Sequence, residues 1–324
     1  MHMKKIAIIW IAAILVLSAF ASWAFDEYPT KPIQLICPYG AGGVTDVVAR
    51  LVGDKMTEHI GKPVIVANKP GGGTAIGTGF VAASKPDGYT MLINMTGGFI
   101  VTPLITQNLP YKMSDFTPIG KMVVAGYAIL VNKDVPAKTL KEFIVYVKKN
   151  PKSLSYGSPG VGTIDHLAME LFNIQTQMDL PHIPYASQLP VLTALMGNHV
   201  QAAVGTTSIS LPYIKAGQIR VLAVLSEQRD SLLPEVPTSV EQGFPDLVAS
   251  VYNVLFVSSK TPAPIVKKLE GALEKTLQDK GLHESFKKLN LKIDFLNSHD
   301  TQTFLDSEVK KWSAVVKKAN IVIK

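Results

Sequence analysis

Ile33-Gln34-Leu35-Ile36-Cys37-Pro38-Tyr39-Gly40-Ala41-Gly42-Gly43-Val44-Thr45-Asp46 is the stretch from which the rest of this 324-residue chain can be read. The run from Ile33 to Cys37 is short, apolar and rich in branched side chains, which predicts a buried strand. It ends in a proline and three glycines, after which residues 47–59 take up a helical period. Glycine lets the backbone turn tightly and approach a ligand closely. The first turn of the helix then presents unpaired N–H groups and the positive end of the peptide dipole, a combination that suits an anion. The plain alternative is an ordinary strand-to-helix turn, and this segment alone leaves both open.

The same rhythm continues outward. Strand-like runs at 64–67 and 90–95 are each followed by helical patterns, at 75–84 and from Phe99 onward. A second series places strands at 128–131 and 153–157 and helices at 140–149 and 164–173. Alternation of this kind predicts βα units on a largely parallel sheet, an α/β fold. Thr139 with Glu142, and Thr238 with Glu241, have capping-box spacing that marks helix starts. From Thr261 onward, two long helical patterns flank a strand expected at 291–296; helices such as 304–318 commonly pack back on a first lobe. About 300 residues exceed what one core usually holds, so two lobes are expected, and no long linker or repeat separates them.

Two further glycine loops open helices. Lys69-Pro70-Gly71-Gly72-Gly73-Thr74 leads into a small-residue helix and could simply permit close packing. Tyr156-Gly157-Ser158-Pro159-Gly160-Val161-Gly162-Thr163 adds hydroxyls to its backbone donors and leads into the helix carrying His166, which favours a cleft role. No glycine loop ends in Gly-Lys-Ser/Thr or has G-x-G-x-x-G spacing, so nucleotides are disfavoured. His166 and Glu170 share a helix face but lack a third metal ligand. Ser158, Asp165 and His166 are the one grouping that could suggest a hydrolase. Asp165 and His166 are neighbours on a helix and would diverge, so a catalytic triad is not supported.

Lys4 and Lys5 precede an apolar run, residues 6–20, and Ala21-Ser22-Trp23-Ala24 supplies small residues for cleavage; residues 1–24 read as a secretory signal cleaved near Ala24. The whole chain has 32 basic and 25 acidic side chains. Losing the two lysines leaves a formal charge of +5, carried on segments that read as solvated helix faces. No aromatic-interleaved basic stripe points to nucleic acid. The single cysteine, Cys37, lies in the buried strand with no base beside it and is expected to be inert.

Taken together, the motifs resemble the Bug/TctC family, the extracytoplasmic receptors of tripartite tricarboxylate transporters. The resemblance rests on Tyr28-Pro29-Thr30-Lys31-Pro32-Ile33, the Pro38 to Asp46 loop, Ala67-Asn68-Lys69-Pro70-Gly71, Lys85-Pro86-Asp87-Gly88-Tyr89-Thr90, Ser114-Asp115-Phe116-Thr117-Pro118-Ile119 and His182-Ile183-Pro184-Tyr185. It continues through Ile214-Lys215-Ala216-Gly217-Gln218-Ile219-Arg220-Val221-Leu222-Ala223-Val224, Val236-Pro237-Thr238, Glu241-Gln242-Gly243 and Thr261-Pro262-Ala263-Pro264.

What the resemblance implies is a two-lobed type II periplasmic binding protein of the Venus-flytrap kind, with mixed sheets flanked by helices. Lobe one would hold residues 25–124 and 247–324, and lobe two residues 125–246. It implies a non-enzymatic periplasmic receptor, without cofactor or metal and expected to be a monomer. That receptor would hand a small mono- or dicarboxylate, aliphatic or aromatic, to large and small multi-span transporter subunits. The implied ligand contacts are Gly40, Ala41, Gly42 and Asp46 on one side and Ser158, Gly160, Thr163 and His166 on the other. Thr96, Gly205 and Thr206 are further candidates. Asp46, being acidic, is expected to orient loop amides or water.

The chain departs from the family pattern at Ala186-Ser187, at Tyr252, where a tryptophan is usual, and in Ala203-Val204-Gly205-Thr206-Thr207-Ser208. The last of these lacks a carboxylate that could pair with an amino-acid ammonium. The competing expectations are a same-fold receptor for a non-carboxylate solute or feeding a sensor, and, more remotely, a secreted hydrolase using Ser158.

Overall fold

The computed structural model describes residues 28–150, 153–289 and 291–321. The leader expected over residues 1–24 and its cleavage near Ala24 therefore lie outside the described residues. In chain order the elements are β1 (Ile33–Cys37), α1 (Val44–Ile60), β2 (Val64–Asn68), α2 (Ala75–Ala82), β3 (Thr90–Met95), α3 (Thr102–Ile105) and β4 (Phe116–Asn132). Then come α4 (Leu140–Lys149), β5 (Tyr156–Ser158), α5 (Ile164–Thr176), β6 (His182–Pro184), α6 (Gln188–Met196), β7 (Ala202–Thr206), α7 (Thr207–Lys215) and β8 (Ile219–Val224). The chain closes with β9 (Ser250–Ser258), α8 (Ala263–Leu277), α9 (Lys280–Lys288), β10 (Lys292–Leu296) and α10 (Ser298–Lys318).

The sheet runs β2-β1-β3-β9-β4-β7-β5-β6, with β8 and β10 also paired to β4. β1 is parallel to both β2 and β3, as the βα rhythm predicts, because a helix carries the chain back between them. β4 has two sets of partners along its length. Residues up to Gly126 pair with β9, and residues from Tyr127 onward pair with β7 and β8. One strand therefore belongs to both halves of the sheet, and Gly126 marks the changeover. A Cβ there would stand 3.0 Å from an Asp230 carboxylate oxygen.

Burial follows the sequence pattern. Val48, Val52 and Met56 of α1 and Leu269 and Leu273 of α8 cover Ile33, Leu35 and Ile93 on one half. On the other half, Leu192 and Leu195 of α6 pack with Leu130, Ala203 and Val224. A third cluster, containing Phe99, Tyr127, Tyr156, Phe172 and Trp312, runs through the middle of the molecule. α10 contributes Trp312 to it and lies against both β4 and α5, so it spans the two halves instead of packing on the first alone.

Thr139 caps α4 as its spacing predicts, its hydroxyl accepting from the Glu142 amide at 3.1 Å. The Thr238–Glu241 box also closes, with both reciprocal bonds present at 3.0 and 2.7 Å. It starts no helix, however, which corrects the expectation. The turn it caps stops at Gly243 (φ +92°), and Pro245 follows. The glycines of the Lys69–Thr74 loop serve backbone shape: Gly71, Gly72 and Gly73 have positive φ. This loop brings α2 so close that a Cβ on Gly77 would sit 2.7 Å from the Lys69 carbonyl oxygen.

Candidate ligand-binding site

α1 begins at Gly43, whose extended backbone (φ −72°, ψ 163°) is that of an N-cap but which has no side chain to cap with. The first N–H groups of a 17-residue helix are thus left without a side-chain acceptor. Asp46, in that first turn and 3% exposed, does not face outward to compensate. Its Oδ2 accepts from the Gly42 amide (2.8 Å) and Arg50 Nε (3.1 Å), and its Oδ1 accepts from Arg50 Nη2 (2.9 Å) and Asn68 Nδ2 (2.8 Å). Burial works against its charge, but Arg50, the Gly42 amide and Asn68 outweigh it and hold the carboxyl below its ordinary range. Asp46 is a positioning residue: both oxygens are spent on shaping the loop.

Asp46→Ala is expected to weaken ligand binding at least tenfold by calorimetry and to destabilise the fold by about 2 kcal/mol, since it strands several donors. Unchanged affinity would show that the loop shape is independent of the carboxylate.

A second helix end meets the first. α7 follows β7 directly, and its N-cap Thr206 makes no capping bond; its hydroxyl is turned to Gln188, donating to Oε1 at 2.8 Å. Gly43, Val44 and Thr45 on one side and Thr206, Ser208 and Ile209 on the other line a cavity of about 310 Å³. Val123, Ala125, Val251 and Asn253, from the paired strands β4 and β9, line it as well. Tyr39 and Tyr127 also border it, with their hydroxyls committed elsewhere: Tyr39 donates to Asn94 Oδ1 (2.7 Å) and Tyr127 to Asp165 Oδ2 (3.1 Å). Two uncapped helix N-termini opening into one cavity can stabilise a negative charge through oriented amides alone.

The residues expected from sequence fall into three groups. Gly40, Ala41 and Gly42 are exposed on the loop leading to that helix end, outside the cavity wall. Thr206 lines the cavity, whereas Gly205 beside it is hemmed in: a Cβ there would lie 2.5 Å from Gln188 Nε2 and 3.2 Å from Ser210 Oγ. The absence of a carboxylate at Gly205 thus has a packing cause, since Gln188 fills the space. Thr96 is fully buried, and its hydroxyl has no hydrogen-bond partner.

Ser158, Gly160, Thr163 and His166 do come together, as a loop closed on itself. Thr163 caps α5 by accepting from the His166 amide, and His166 Nδ1 accepts from Gly162 N–H at 3.1 Å. The Ser158 hydroxyl donates to the Gly160 carbonyl at 3.0 Å and lies 2.6 Å from His182 Nε2. The single serine proton can serve only one of these two contacts, and the Thr163 hydroxyl also donates to the Gly160 carbonyl, at 2.9 Å. None of the four borders the cavity.

His182, which belongs to one of the motifs that carry the family resemblance but was not among the expected site residues, is brought there by the β5–β6 register, where Tyr156 stands opposite His182. It stacks on His166 with ring centroids 4.0 Å apart. Burial, and then the neighbouring His182, lower His166 to about 3; burial lowers His182 to about 4. Asp165, whose Oδ1 is buried without a partner, is pushed up to about 7 by burial against the opposing pull of its own backbone and the Tyr127 hydroxyl.

Residues 48–321 match the family model described as the tripartite tricarboxylate transporter family receptor, TctC. The chain belongs to this family. Among solved structures it is similar to the periplasmic binding protein BugD, with 32% identity and a TM-score of 0.73 over 92% of this chain and 100% of that one. A protein from R. palustris solved with adipate is 28% identical, with a TM-score of 0.76 over 91% of this chain and 99% of that one. MatC from Rhodopseudomonas palustris, with bound malate, is 26% identical, with a TM-score of 0.71 over 89% and 100%. TctC-family proteins are periplasmic solute receptors and not enzymes, and this chain is one of them. No helix among the described residues is long and apolar enough to cross a membrane.

Proposed function

We propose that this TctC receptor captures a small carboxylate and delivers it to multi-span membrane subunits of a tripartite transporter. The observation that carries the reading is the pair of uncapped helix N-termini, at Gly43 and Thr206, that open into one cavity. Such ends favour an anion yet release it readily, because no basic clamp holds it. Adipate and malate in two homologues of known structure support a carboxylate.

In this reading the lobes comprise residues 25–124 with 247–324, and residues 125–246. They close about β4 and β9, with the Gly40–Thr45 loop and Thr206–Ser208 meeting the carboxylate. Asp46 gives the Gly40–Thr45 loop its shape, Ser158, Gly160, Thr163 and His166 shape their own loop at the start of α5, and Gln188, packed against Gly205, holds Thr206.

Titration calorimetry of the purified receptor against a panel of mono- and dicarboxylates is expected to show saturable one-site binding without turnover. Silence across the panel, with binding of an uncharged or cationic solute, would overturn the proposal.

A further inference from the structure

The cavity is polar at one end only. Beyond the two helix termini its wall is formed by Met95, Val123, Val251, Leu289 and Leu291 and by the rings of Tyr39 and Tyr127, whose hydroxyls are turned to Asn94 and Asp165. Among the described residues no lysine, arginine or histidine borders it. The polar groups stay with the helix ends. Thr45 is 2% exposed and borders the cavity, and its hydroxyl accepts a long bond (3.4 Å) from Asn253 Nδ2, leaving its proton to donate. The volume, about 310 Å³, is at the small end of the range of small-molecule sites.

From this one-ended polarity, and resting on the carboxylate reading above, we infer that the ligand is a monocarboxylate with a compact apolar body, an alkanoate or arylalkanoate, and not a dicarboxylate. One carboxylate meets the paired helix ends while the body lies against the apolar wall. A second carboxylate would be desolvated against branched aliphatic side chains with nothing to pair it, which opposes its entry. The homologue solved with adipate makes that diacid the natural contrast.

The test compares hexanoate, adipate and hexan-1-ol, and in parallel benzoate and terephthalate, by calorimetry on the purified receptor. The expected result is that each monoacid binds at least tenfold more tightly than its diacid, with hexan-1-ol silent. Adipate or terephthalate binding as tightly as its monoacid overturns this inference and leaves the carboxylate reading standing. Hexan-1-ol binding as well as hexanoate overturns the carboxylate reading itself. Leu289→Lys adds a cation on a half-exposed part of the wall and is expected to bring adipate to within about threefold of hexanoate. An unchanged ratio in the folded variant overturns the assignment of that wall to the ligand's far end.

Discussion

Gly43→Asp is expected to make the receptor slightly more stable and unable to bind its ligand. Gly43 already has N-cap backbone geometry, and a Cβ there meets nothing closer than the Gly40 carbonyl oxygen at 3.4 Å. An aspartate would cap the first turn of α1 and add a negative charge at the positive end of the dipole. The expected gain is about 0.5–1 kcal/mol in urea denaturation. The same carboxylate would occupy the amides assigned to the ligand and repel its charge, so affinity should fall by at least 100-fold. The opposite signs separate this outcome from general damage to the fold. Tighter binding, or binding unchanged within threefold, would remove α1 from the ligand site.

The second large effect is a dependence of stability on pH set by two buried groups of opposite sense. Asp165, 5% exposed and raised to about 7, is favoured in its protonated form by the fold. Its stabilising contribution is complete below the ordinary aspartate range and is lost as pH rises to about 7. His166 and His182 are lowered to about 3 and about 4, so the fold favours them neutral. Their contribution is complete above about 6.5 and is lost as pH falls toward 4. Between pH 4.5 and 6.5 two histidines oppose one aspartate, so stability should rise with pH and turn over near 6.5.

Asp165→Asn removes the opposing group. From pH 4.5 to 7.5 its stability relative to the unsubstituted receptor should improve by about 3 kcal/mol, by linkage from the shift of Asp165. Parallel denaturation curves for the two proteins across that range would show that Asp165 does not titrate in it.

Much of the fold was legible because its signals are local. The strands Ile33–Cys37 and Thr90–Met95 and the helix Leu140–Lys149 fall where side-chain period and caps place them. The expected strand at 153–157 forms at Tyr156–Ser158, where it can pair with β6 and β7. β4 was legible only at residues 128–131. Pro118, Gly120 and Gly126 break its pattern, and what keeps it extended is pairing with β9, whose sequence comes more than a hundred residues later.

The candidate site divides in the same way. The Gly40–Asp46 loop announces itself by its glycines, and the role of Asp46 in orienting amides could be argued from its charge. Ile209, Val251, Asn253 and Leu291 could not be found, because apolar residues and a strand asparagine have no local mark of bordering a cavity. Val251 and Asn253 reach it on β9, Ile209 just after β7 and Leu291 just before β10, three strands that meet only by pairing with β4. His182 likewise reaches Ser158 only through strand register.

β9 lies between β3 and β4, and α8, beyond it, covers the same face of the sheet as α1. Ordering the first third of the chain therefore waits on the last quarter. A product ending before residue 250 would leave facing edges of β3 and β4 open and half of a core bare, a target for proteases and for edge-to-edge association. Synthesis proceeds from the N-terminus, yet the N-terminal half cannot be completed first. The interval before the last elements arrive is the period in which this chain most needs protection from other chains.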